Sequence, residues 1–251
     1  MRKLFLLFLT FCFGGVLFAQ SAACSPDKSL LQMSEQLLFR VKKAEPTDNL
    51  VALLANVPKT DLIKGLCNDN AKKVFWVNMY NAYYQLLIQK GIVREKVFTQ
   101  EAINIAGLQL SLDAIEHGVL RRSAAKYSLG YAKAVAPKPY LKELQVEVLD
   151  FRIHFALNCG AKSCPPIAFY KYDDIDTQLE RATDSYLNIE TTVNEQNKTV
   201  EATQIMQWFQ GDFGGQKGVK KVLEKYLQKN LKGYKIRYQK FNNDTYLNNF
   251  Q

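Results

Sequence analysis

The chain has 251 residues, 47% of them hydrophobic and 23% charged, with a formal net charge of +9. That apolar share belongs to an ordinary globular chain, and the length suits one domain. No zinc-finger spacing and no basic motif interleaved with stacking aromatics is present, which excludes the common nucleic-acid-binding modules.

Arg2 and Lys3 precede an apolar run, Leu4 to Phe18, broken only by Thr10, Gly14 and Gly15. Small residues follow at Ala19, Ser21, Ala22 and Ala23. This build predicts a cleaved signal peptide over residues 1 to about 20, with export to a periplasmic or extracellular location. The run is shorter than the ~20 apolar residues of a membrane span. Cys24 after Ser21-Ala22-Ala23 resembles a lipoprotein site, but Ser21 stands where leucine is usual. Membrane attachment is therefore expected only if Cys24 is lipidated. Loss of Arg2 and Lys3 leaves a charge of +7. The surplus reads as a dispersed, solvated face, and it would also suit an anionic ligand.

In chain order, Ser29 to Lys43 has helical periodicity, Pro46 breaks it, and Leu50–Val57 and Asp61–Leu66 read as short helices. Ala71 to Lys90 is the strongest helix, apolar nearly all round and closed by Gly91. Its polar residues Asn78, Asn81 and Gln85 stack on one face, which must meet a cleft, water or the backbone of neighbouring loops. Ile103 to Leu112 reads as a hairpin turning at Ala106-Gly107, and Ser111 as the cap of a helix through Tyr127. Val146 to Asn158 reads as one strand or two, with Arg152, His154 and Asn158 on one face, although a helix has the same apolar content. Cys159 to Pro166 is a loop, and Asp173 to Asn188 a helix. Two strand-like pieces flank a turn at Asn194–Lys198. A short helix at Gln204–Phe209, a glycine-rich loop, a helix at Val219–Lys229 and a strand at Lys235–Tyr238 complete the chain. The expected fold is α+β: a mostly helical single domain with a small antiparallel sheet.

Cys12 would leave with the signal, so Cys24, Cys67, Cys159 and Cys164 remain. In an oxidising compartment they permit disulfides, and Cys159 with Cys164 plus Cys24 with Cys67 is the first pairing to test. The segment from Arg152 to Pro166 also concentrates reactive side chains. A thiolate needs a nearby cation or base, which His154, Arg152 or Lys162 would supply. Backbone N–H groups after Cys159 would hold an oxyanion. Cys159 or Cys164 is then a candidate nucleophile, His154 the base, and Glu116 or Asn78 the group that orients it. Arg152, Asn81, His117, Arg121 and Trp76 are candidate substrate-binding residues. A metal site built from His154, the cysteines and Glu116 or His117 fits no standard zinc spacing, so neither metal nor cofactor is expected.

Four blocks occur in order: Phe75-Trp-Val-Asn-Met-Tyr-Asn81; Leu112-Asp-Ala-Ile-Glu-His117 with Leu120-Arg121; Arg152-Ile-His-Phe-Ala-Leu-Asn-Cys-Gly-Ala-Lys-Ser-Cys-Pro165; and Trp208-Phe with Asp212-Phe213. They resemble domain-of-unknown-function family 547, which implies no particular reaction. On that resemblance the chain divides into a signal peptide (1–20), a helical segment (21–74), a family core (75–213) and a C-terminal helix and strand (214–251) completing the same domain. The family's usual terminal stretch carries a tryptophan that Phe241 to Asn248 lacks. The leading expectation is a cysteine-dependent hydrolase or acyl transferase. The alternative is a binding or assembly domain with a structural Cys159–Cys164 disulfide. Thiol–disulfide exchange is disfavoured, because the spacing is not C-x-x-C.

Overall fold

The computed structural model describes residues 24–251; the expected signal segment lies outside them. Three helices come first: α1 (Lys28–Lys43), α2 (Asp48–Asn56) and α3 (Lys59–Gly65). Asp27 caps α1 by accepting hydrogen bonds from the backbone N–H groups of Ser29 and Leu30. The predicted stripe Leu30, Leu31, Leu37, Leu38 and Val41 is the buried face. A Cys24–Cys67 disulfide ties the segment before α1 to the turn before the next helix.

That helix, α4 (Asp69–Gln89), is the axis of the molecule. It buries every residue from Lys73 to Leu87, and Asn68 caps it through the Ala71 N–H. Its polar stripe does the work of backbone. Asn78 accepts from the Tyr170 N–H (3.1 Å) and donates to the Tyr170 carbonyl (2.9 Å). Asn81 donates to the Ala156 carbonyl and accepts from the Asn158 N–H, both at 2.9 Å. Carboxamides thus substitute for the regular partners that two irregular segments lack.

After α5 (Arg94–Val97), the predicted hairpin forms from β1 (Ile103–Ile105) and β2 (Leu108–Leu110), paired antiparallel. Ser111 caps the next helix through the Ala114 N–H, as read from sequence. That helix, however, is a π-helix over Ala114–Leu120 and does not continue to Tyr127. Arg122 and Ser123 adopt positive φ (54° and 59°) and end it. Gly118 lies within it because a Cβ there would stand 2.6 Å from Leu141 Cδ1.

The strand expected over Val146–Asn158 does not form. A 3₁₀ turn, Phe151–Phe155, stands there, opened by Asp150 accepting from the Arg152 N–H. Its backbone bonds run within the turn, and Asn81 holds the residues just after it, Ala156 and Asn158, in place of a neighbouring strand, so Arg152 and His154 do not share a face as a pleat would require. Helix α6 (Ile175–Ile189) leads to β3 (Thr192–Asn194) and β4 (Thr199–Ala202), followed by α7 (Ile205–Trp208), α8 (Gly215–Tyr226) and β5 (Lys235–Tyr238). The sheet order is β3-β4-β5. β3 and β4 are antiparallel, but β5 returns parallel to β4, so this sheet is mixed and not purely antiparallel as expected. The crossover through α7 and α8 makes the parallel return geometrically available. The last residues run back along the Cys159–Pro166 loop: Lys162 N–H donates to the Asp244 carbonyl and Tyr246 N–H to that of Gly160. The fold is α+β. One core surrounds α4; a second joins α6, α8 and the mixed sheet.

Replacing Asn81 with leucine strands a buried carbonyl and a buried N–H. A stability loss of roughly 2–4 kcal/mol is expected from the cost of unmade buried hydrogen bonds. Urea unfolding measures it; a loss under ~1 kcal/mol would mean that the 156–158 backbone finds other partners.

Candidate functional site

A cavity of about 680 Å³ opens where the two cores meet. Phe98, Leu129, Leu157, Ile205, Trp208, Phe209 and Phe241 give it apolar walls. Tyr80, Glu116, His117 and His154 place polar atoms in the same wall, from α4, the π-helix and the 3₁₀ turn. The π-helix matters locally: its wide turn places Glu116 and His117 along the cavity while Arg121 returns beneath them, the Arg121 N–H bonding the Glu116 carbonyl.

Behind the wall lies a charged layer. Arg121 is fully buried, and its Nε donates to Asp212 Oδ2 at 2.6 Å. The same oxygen is 2.9 Å from His154 Nε2. A second Arg121 nitrogen is 2.8 Å from His117 Nδ1. Phe209 covers this group, stacked on the His154 ring (centroids 3.9 Å, planes 11° apart) and under the guanidinium at 4.5 Å.

Donor and acceptor arithmetic fixes both imidazoles. Arginine only donates, so His117 Nδ1 accepts and its proton sits on Nε2. An ionised Asp212 only accepts, so His154 carries its proton on Nε2 and keeps a lone pair on Nδ1. Among the described residues that nitrogen has no hydrogen-bond partner. Burial pushes the His154 pKa down, against the opposing pull of Asp212, and the ring is neutral near pH 7. Burial and the Arg121 charge push His117 down to about 4. Burial raises Asp212, but hydrogen bonds from His154 and Arg121 outweigh it and hold the carboxyl below its usual range. Glu116 goes the other way. Burial raises its pKa, and the Arg121 charge with the Tyr80 hydroxyl bond (3.2 Å) offsets this only in part. One carboxyl is therefore kept ionised and its neighbour biased towards the acid form, the arrangement acid–base sites need.

The residues expected from sequence separate into three groups. Glu116, His117 and His154 face the cavity together, with Arg121 behind them. Cys159 also lines the cavity, but its sulfur is bonded to Cys164, so neither is a free thiol. The other four lie elsewhere. Asn78 and Asn81 hold backbone, Trp76 is fully buried in edge contact with Phe75, and Arg152 belongs to a separate ion-pair group with Asp150, Asp176 and Glu180. Asp212 and Phe209 were given no role from sequence, although both sit in the Trp208-Phe and Asp212-Phe213 block; their only sequence signal was an acid among aromatics. Lys126 and Asp113 pair with each other at the cavity rim (2.7 Å).

Residues 65–187 match the model of a family described as "Protein of unknown function, DUF547". The match covers α4, the π-helix and the Cys159–Cys164 loop, and ends before Phe209 and Asp212. No curated protein and no solved structure matches the chain.

Two outcomes test this charge arrangement. Arg121→Met leaves Asp212 buried without its cation, and a loss of about 3–5 kcal/mol is expected from a broken buried pair; a loss under ~1 kcal/mol in urea unfolding would contradict it. His117 should titrate near pH 4 in a side-chain ¹⁵N NMR experiment. Its native pKa lies below that of the unfolded chain, so the unfolded state binds the extra proton. Its contribution to stability is accordingly present above pH ~6.5 and is lost as pH falls toward about 4.

Proposed function

We propose that this DUF547 protein is a hydrolase that works by acid–base catalysis in the apolar cavity, acting on an ester or amide whose body is largely hydrophobic. The single observation behind the reading is the convergence of His154, backed by Asp212, and Glu116, biased towards its acid form, on one cavity wall. Water is the nucleophile. His154 Nδ1 takes its proton as it attacks the carbonyl carbon, and Asp212 stabilises the imidazolium that forms. Glu116 gives its proton to the leaving group as the carbon–heteroatom bond breaks. Tyr80, held by Glu116, keeps that carboxyl oriented. A thiol nucleophile, the earlier expectation, is set aside because both sulfurs of the loop are engaged with each other.

The two disulfides suggest a non-reducing compartment. Among the described residues, no helix is long and apolar enough to cross a membrane. With the basic, apolar start of the sequence, this supports secretion to the periplasm or beyond.

A non-enzymatic binding domain is the second reading, favoured by the predominantly aromatic and aliphatic wall of the cavity. Chromogenic esters and anilides with apolar acyl groups separate the two. Hydrolysis is expected, with kcat lowered roughly 10²–10⁴-fold in His154→Asn and in Glu116→Gln while both variants still bind a non-hydrolysable analogue. Turnover unchanged in His154→Asn, or binding without turnover in the wild type, overturns the hydrolase reading.

A further inference from the structure

The Cys159–Cys164 disulfide joins a cavity wall to the second core. Its two ends are unlike. Cys159 is half-buried and lines the large cavity, whereas Cys164 is only 3% exposed in the second core. Two backbone N–H groups point at the buried sulfur: Cys159 N lies 3.2 Å and Ala161 N 3.3 Å from Cys164 Sγ. Such donors do little for a sulfur in a disulfide, which is a poor acceptor. They stabilise the thiolate that appears when that bond breaks, and a thiolate stabilised in this way is a good leaving group.

The bond is also not alone in holding its loop. Asn158 brackets it, accepting from the Gly160 N–H (2.9 Å) and donating to the Pro165 carbonyl (2.7 Å). Asn81 fixes Asn158 from α4, and the C-terminal strap pins the loop from outside through Asp244, Asn242 and Tyr246. Gly160 (φ +68°) packs so closely on Tyr84 that a Cβ would stand 2.2 Å from its hydroxyl. The two cysteines are five residues apart, against 43 for Cys24 and Cys67. A loop that short gains less from closure entropy than one of 43 residues. A short cross-link in a loop that other bonds also hold, one end lining a cavity and the other met by two N–H donors, is suited to exchange.

We infer that Cys159–Cys164 is a redox-active disulfide, opened from the cavity by a low-molecular-weight thiol. The thiolate RS⁻ attacks Cys159 Sγ, the Cys159–Cys164 bond breaks, and Cys164 leaves as a thiolate held by the two N–H groups. A second thiolate attacks the sulfur of the bound R group. This releases RSSR and frees Cys159; two thiols are oxidised and the protein disulfide takes up the two electrons. In the reverse reaction Cys159 and Cys164 are oxidised back to the disulfide and RSSR is reduced to two thiols, through the same mixed disulfide at Cys159. The C-x-x-C spacing is not required, because the N–H donors come from the loop itself and not from a helix N-terminus.

The internal control is Cys24–Cys67, whose Cys24 is exposed. By exposure alone it should be reduced first. The test treats the oxidised chain with limiting 2-mercaptoethanol and maps the opened pair by differential alkylation and mass spectrometry. Cys159–Cys164 is expected to open at least tenfold faster. In Cys159→Ser, the absorbance of the Cys164 thiolate near 240 nm should titrate at least one unit below the free-cysteine value of ~8.5. Prior opening of Cys24–Cys67, or a Cys164 titration at or above the ordinary value, overturns the proposal. Both readouts are independent of ester turnover, so failure here leaves the role of His154 untouched.

Discussion

A buried carboxylate governs this molecule. Asp212 sits after α7 and reaches the centre of the site, where one of its oxygens serves both Arg121 and His154. Arg121 has no exposed surface, so its charge is tolerable only because Asp212 answers it. Asp212 in turn stays ionised because two donors hold it. His154 and His117 then have their protons placed for them, one by the acid and one by the guanidinium. The π-helix, the 3₁₀ turn and the segment after α7 are otherwise separate pieces of chain, and this group joins them.

Around it the protein solves a backbone problem. The 156–170 segment is mostly irregular and mostly buried, a combination that would leave carbonyls and N–H groups unpaired. Helix α4 supplies the missing partners from Asn78 and Asn81, each mimicking a peptide unit, and the C-terminal strap supplies more from outside. The result is a rigid loop presenting Cys159, and a fixed position for the residues just before it, including His154. A wall held this firmly can keep an apolar cavity open at the junction of two cores.

Much of this was legible from the residues. The α1 stripe, the near-uniformly apolar α4 and the Ala106-Gly107 turn follow from periodicity and turn chemistry, and the pairing of Cys24 with Cys67 and Cys159 with Cys164, one of three that four cysteines allow and the first to test, is the one the structure has. The Val146–Asn158 strand was misread because β-branched and apolar content reports burial, and here the burial is that of a 3₁₀ turn followed by residues whose backbone is tied to Asn81 of α4. Asn78 and Asn81 were divided between a site and a tether, since an inward carboxamide stripe looks the same for both. His154, Glu116, His117 and Arg121, which meet at or just behind the cavity wall, stood out in the sequence because titratable side chains are scarce in apolar segments. Asp212 was not, because its partners are 58 and 91 residues away and no local pattern records them. Arg152, which looked equal to His154 on a pleat, faces another charged group once the pleat is replaced by a turn.

The central claim is that Asp212 holds His154 as a neutral ring with its lone pair on Nδ1, ready to take a proton in the cavity. Long-range ¹H–¹⁵N correlation NMR on the wild-type chain at pH 7 reads this directly. A protonated Nε2 and a bare Nδ1 are expected for His154, with that preference lost in Asp212→Asn. An imidazolium, or a proton on Nδ1 in the wild type, would contradict it.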